Sequence, residues 1–126
     1  MKRSRIKPKP RDLEAEVAWQ ALREAIYERA EGRCESCGVS LDQTGMEAAH
    51  RVRRGVIPDS VVNLTACCPR CHRLDTEHPA EARLRGFVAA TWDDPAGVAL
   101  HHWYHGWVLL TADGGYEPVD APEATE

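Results

Sequence analysis

Apolar residues recur at three- and four-residue spacing near the start of the chain, where Leu13, Val17, Ala21, Leu22, Ala25 and Ile26 form one stripe. That period predicts a helix with the stripe facing the core. Asp12 is placed to cap it, Glu14 and Glu16 suit its positive end, and Gly32 ends it. Past Gly32 the helical rhythm is lost. "MEAAHRV" and "VVNLTACC" read as short strands, and "RRGVIPDS" between them reads as a loop by its Gly, Pro and Asp. Pro69 suits the first turn of a helix over "PRCHRLDTEH", and Pro79 opens another short one ending at Gly86. "FVAATW" and "GWVLLTADGGYEPV" read as strands, the second a hairpin turning at Asp113, Gly114 and Gly115. The expected class is α+β, with an N-terminal helix and a C-terminal β-hairpin. Residues 1–11 are expected to be a disordered basic arm, 12–86 the main domain, 87–119 strands packed on it, and 120–126 a frayed tail.

Composition narrows the class. At 126 residues and 14.1 kDa the chain is one small domain that benefits from a staple. No run approaches the roughly 20 apolar residues of a membrane span, and the basic N-terminus leads into no apolar signal core, so a soluble cytoplasmic protein is expected. A net charge of -4 speaks against a nucleic-acid partner until the charges are placed. All sixteen Lys and Arg fall within residues 1–85, beside thirteen acids, whereas residues 86–126 carry seven acids and no Lys or Arg. An acidic tail thus masks a basic body. Six basic residues between Lys2 and Arg11 suit phosphate contacts, and equally a solubilising terminus.

Five cysteines are an odd number, and in a reducing compartment paired spacings indicate metal rather than disulfides. Cys34-x-x-Cys37 and Cys68-x-x-Cys71 supply the four thiolates of a tetrahedral structural zinc site. Cys67 lies one residue off, on a strand that turns it to the other face, and reads as a small buried hydrophobe. Thirty residues separate Cys37 from Cys68, more than the roughly fifteen to twenty of a plain zinc ribbon, so a functional segment is inserted between the knuckles.

Taken in order, Cys34-x-x-Cys37, His50, Asn63 and Cys68-x-x-Cys71-His72 resemble the HNH endonuclease family, particularly its small bacteriophage-encoded members. The resemblance covers residues from about 20 to 80. It implies a hairpin and helix folded around one metal, with His50 as the general base on the attacking water. Asn63 is implied to hold that base's orientation, and His72 to ligate a catalytic Mg2+ or Mn2+. Hydrolysis of a phosphodiester needs these elements: an activated water, a cation on the phosphate and a rigid frame. Arg51, Arg53 and Arg54, beside the expected base, are candidates to clamp DNA phosphates. A phage terminase is a partner implied by the family alone.

The pattern departs from the family at Ala49, where the residue before the base is usually a metal-binding Asp or His. Thr76 likewise stands where some members have a third metal-binding histidine, and Glu47 shares Ala49's strand face. A DNA endonuclease is the leading expectation. A zinc-stabilised DNA-binding or packaging accessory protein without catalysis, or a zinc-bound protein-interaction module, are the alternatives. The "HHWYHGW" stretch, with His101, His102 and His105, is expected to serve strand packing rather than metal.

Overall fold

Helix α1 spans Pro10–Arg29, and at twenty residues it is about 30 Å long, about the diameter of a small domain. The computed structural model describes residues 10–123, so residues 1–9 of the expected arm and 124–126 of the tail lie outside the described residues. Helix α1 already includes residues 10 and 11, so Asp12 lies in its first turn rather than at the cap position the sequence suggests. Its stripe is only half used: Ile26 is fully buried and Leu22 packs on the core, but Leu13 is 54% and Val17 70% exposed. The periodicity is real, yet burial is confined to the second half of the helix, while Leu13 and Val17 lie on a side that no described residue covers.

After α1 the chain makes the first cysteine turn and a short helix α2, Leu41–Thr44. Strands β1, Glu47–His50, and β2, Leu64–Cys67, then pair antiparallel with Glu47 opposite Cys67 and His50 opposite Leu64. Helix α3, Pro69–Glu77, follows at once, with proline in its first turn and the Cys68 sulfur accepting from the Cys71 amide as cap. Helix α4 spans Pro79–Leu84 and a 3-10 turn Pro95–Gly97. Strands β3, Leu100–His102, β4, Gly106–Leu110, and β5, Tyr116–Pro118, form a second antiparallel sheet in that order. The architecture is α+β, and the β4–β5 hairpin turns where Gly114 takes a positive φ of 86°.

"FVAATW" is not a strand. Phe87 is buried, but the segment finds no sheet partner and is held instead by the Ala89 amide donating to the Arg51 carbonyl. Gly86, with φ +80°, permits the crossing there, since a Cβ would stand 1.9 Å from the Ala99 carbonyl oxygen.

The core joins Ile26, Leu64, Ala66, Phe87, Leu100, Val108 and Leu110, so both sheets and α1 share it. Within it lies a buried ion pair. The Arg29 guanidinium donates to both Glu35 oxygens, at 3.0 and 2.8 Å, while Glu35 also accepts from the Ala66 amide and the Tyr116 hydroxyl. Every lone-pair direction of the carboxylate is thus occupied, the condition under which a buried charge is tolerated. The network fixes the first cysteine turn to α1, β2 and β5.

Candidate functional site

The sulfurs of Cys34, Cys37, Cys68 and Cys71 converge within 4.8 Å of one another. Tetrahedral Zn–S bonds of about 2.3 Å put sulfurs near 3.8 Å apart, and Cys37 and Cys68 stand at 3.9 Å. The donor set therefore fits zinc. Cys34 is pulled down to about 4, first by a hydrogen bond from the Cys67 thiol and then by the amides of Cys68, Cys37 and Ser36. Burial pushes the Cys71 thiol up, with the charge on Cys34 adding to it, and a dication relieves that crowding of negative sulfur. Cys67 stays outside the four, as its spacing suggests. It does not turn away from them, however: its buried thiol reaches Thr65 Oγ1 at 3.3 Å and lies against Cys34. Gly38 closes the first turn at φ +82°, under the ring of Trp103.

Alternation along β1 places Glu47 and Ala49 on one face of the hairpin and Ala48 and His50 on the other. Helix α1 covers the second face, where the Trp19 indole stacks on the His50 imidazole, ring centres 5.8 Å apart and planes within 9°. His50 Nε2 meets Asp59 Oδ1 at 2.9 Å. An Nε2–H donated to that carboxylate leaves Nδ1 with a free lone pair. Asn63 is fully buried, and its carboxamide grips Val52 at both ends: Nδ2 donates to Val52 O at 3.0 Å and Oδ1 accepts from Val52 N at 2.7 Å. Its backbone carbonyl also accepts from Arg51 N, so the two residues after His50 are clamped to the start of β2.

Helix α3 meets the first face. His72 Nδ1 lies 2.7 Å from Glu47 Oε1, and both side chains are about half exposed at the rim. Ala49, beside Glu47, is buried and offers no donor atom. Thr76 spends its hydroxyl on the His72 carbonyl at 3.0 Å.

Arg51 is not a phosphate clamp. It is 1% exposed, and its guanidinium donates to the carbonyls of Gly86, Val62, Pro95 and Val98 at 2.7–3.0 Å. Burial, with Arg29 nearby, lowers it to about 10, so it remains charged at neutral pH. It ties the loop after β1 to the segment between α4 and β3. Arg53 and Arg54 are exposed, and Arg54 lines a groove with Trp19 and Asp59.

The C-terminal histidines converge on no metal-holding cluster among the described residues. His101 is exposed on β3, while His102 is buried and its Nδ1 accepts the Tyr104 and His105 amides, both at 3.1 Å. Trp103 and Tyr104, expected in packing, are substantially exposed at the turn.

Sequence reasoning missed Asp59, Trp19 and Glu35. No spacing rule links Asp59 or Trp19 to His50. Compared with protein-family models, curated proteins and solved structures, the chain matches none. No helix among the described residues is long and apolar enough to cross a membrane.

Proposed function

We propose that the chain is a zinc-stapled, HNH-type endonuclease that hydrolyses DNA phosphodiester bonds with the help of Mg2+ or Mn2+. The observation that carries this reading is His50, held on the α1-covered face of the hairpin with one ring nitrogen tied to a carboxylate. Asp59 fixes the tautomer in which Nδ1 accepts a proton, and stabilises the imidazolium once water has given that proton up. Trp19 limits rotation of the ring, and Asn63 limits movement of the backbone that carries it. His72 offers a nitrogen donor to the divalent cation. When bound, that cation supplies positive charge to the phosphate oxygens and the leaving oxygen. Arg53 and Arg54 are exposed and can meet phosphates flanking the scissile bond. The four cysteines hold the zinc that fixes hairpin and helix in register, in a chain acting in the cytoplasm.

A second reading, a zinc-stapled DNA-binding protein without catalysis, is favoured by one observation: Ala49, buried on β1 just before His50, carries no ligand atom. Incubating supercoiled plasmid with the zinc-loaded protein and Mg2+ or Mn2+ separates the two. Metal-dependent nicking supports the nuclease; salt-dependent retention of uncut DNA supports the binding protein.

A further inference from the structure

A cavity of about 300 Å³ opens between the C-terminal end of α1 and the turn that joins β3 to β4. Glu31 and Arg33 stand on one side of it, and His102, Trp103, Tyr104 and His105 on the other. We propose that it receives an unstacked nucleobase of single-stranded DNA; this deepens the DNA reading above by naming the form of the substrate, and rests on it.

Two large aromatic rings left in water at one turn mark a surface that something covers. Trp103 is 42% and Tyr104 73% exposed. Trp103 is also held in place: its amide donates to the Glu35 carbonyl at 3.2 Å, and its ring lies against the first cysteine turn, where Gly38 has no Cβ to meet it. Neighbouring rings meet it only at an angle, Tyr104 at 49° and His102 at 30°. A base offers such a ring a flat partner whatever its identity.

The polar lining selects the same ligand. His102 is 4% exposed, and because its Nδ1 accepts two turn amides, Nε2 carries the proton. That N–H is buried and has no acceptor among the described residues. Such a donor destabilises the free protein, and a ring nitrogen or carbonyl of a base satisfies it. Nε2 is screened from solvent, so the acceptor reaches it as the exposed Tyr104 and His105 rings at the rim change rotamer, a fast motion for exposed side chains. Charge favours a neutral group inside: exposed Glu31 and Arg33 balance each other, and the Arg29 guanidinium is spent on Glu35. Arg33 also donates to the Gly38 carbonyl at 3.0 Å, which sets its guanidinium beside the cysteine turn, where it can meet a phosphate of the strand.

The test is the fluorescence of a short single strand carrying one aminopurine, titrated with the zinc-loaded full chain beside the same strand in duplex. Stacking in the cavity quenches the strand, and the His102 Nε2–H resonance moves as the strand is added, two readouts that need no variant. Trp103→Ala and Tyr104→Ala each weaken strand binding roughly 5- to 150-fold, the loss of one base–aromatic stack, and leave duplex affinity unchanged. Tyr104→Phe, which keeps the ring, binds the strand as wild type does, and so does Trp92→Ala, which removes an exposed ring outside the cavity. Absent quenching, or equal strand affinity in wild type, Trp103→Ala and Tyr104→Ala, overturns the site. Adenosine monophosphate bound as tightly as the strand assigns the cavity to a free nucleotide and overturns its assignment to DNA. Plasmid nicking is scored separately. Strand binding at these rings without metal-dependent nicking keeps the site and removes the nuclease. Nicking by wild type, with strand binding unchanged in both alanine variants, keeps the nuclease and removes the site.

Discussion

The His50 imidazole and the Asp59 carboxylate are joined at 2.9 Å through Nε2, and the ring is stacked on Trp19 from a helix thirty-one positions earlier. A histidine with one nitrogen occupied in this way presents the other in a single tautomer and orientation. Asp59→Ala is therefore expected to lower cleavage by roughly 10- to 100-fold, as loss of such orienting partners does elsewhere. Asp59→Asn, which can still accept from Nε2–H, should lose less. DNA affinity should be the same in all three proteins, and a change in affinity matching the change in rate would argue against an orienting role.

The cysteines separate by role. Cys68→Ser should release zinc and largely unfold the domain, because small structural zinc sites contribute folding free energy on the order of 10 kcal/mol. Cys67→Ser should retain zinc and lose roughly 1–3 kcal/mol, since a buried hydroxyl replaces a thiol beside Cys34. Zinc stoichiometry and melting curves measure both, and equal tolerance of the two substitutions would refute the assignment.

The arginines of "HRVRRG" should behave oppositely. Arg51→Ala removes four hydrogen bonds to backbone carbonyls and should destabilise the fold by about 3–5 kcal/mol. Arg53→Ala with Arg54→Ala should leave the melt unchanged, weaken DNA binding and flatten its log-log salt slope by about 1 for each phosphate no longer neutralised. Chemical denaturation and binding at three salt concentrations distinguish them.

Why sequence could separate the cysteines but not the arginines is a matter of range. The knuckles, the Pro69 helix start and the hairpin with Gly114 are local, set by spacings of a few residues that survive any tertiary arrangement. Arg51, Arg53 and Arg54 look alike in sequence. What buries Arg51 is a set of carbonyls at positions 62, 86, 95 and 98, assembled only on folding. Periodicity identified the residues that share the face of α1, but not that Leu13 and Val17 are left exposed on it. Candidate base, asparagine and helix histidine were legible as an ordered pattern. Asp59 and the Glu47–His72 contact were not, because each depends on how the hairpin is closed.

Acid should weaken the fold partly through His102. Burial holds this imidazole below its ordinary range, and its Nδ1 accepts two turn amides, so protonation there would expel both. The unfolded chain then binds the proton more readily than the folded one. The stabilising contribution is complete above about pH 6.5, the unfolded value, and is lost as pH falls from there through the depressed folded value. His102→Asn, whose side-chain oxygen can accept one of these amides, should show a shallower loss of stability between neutral and mildly acid pH than wild type. Parallel denaturation curves across that window check it, and identical slopes would exclude His102.

The central claim is that His50 acts on water while the rest of the hairpin holds DNA. It is tested most directly by plasmid nicking with Mn2+ by zinc-loaded wild type and His50→Ala, with DNA affinity measured on the same preparations. Metal-dependent nicking by wild type, reduced roughly 10²- to 10⁴-fold in His50→Ala at unchanged affinity, is the predicted result for loss of a general base. No metal-dependent nicking by wild type, or equal nicking by both proteins, would contradict it.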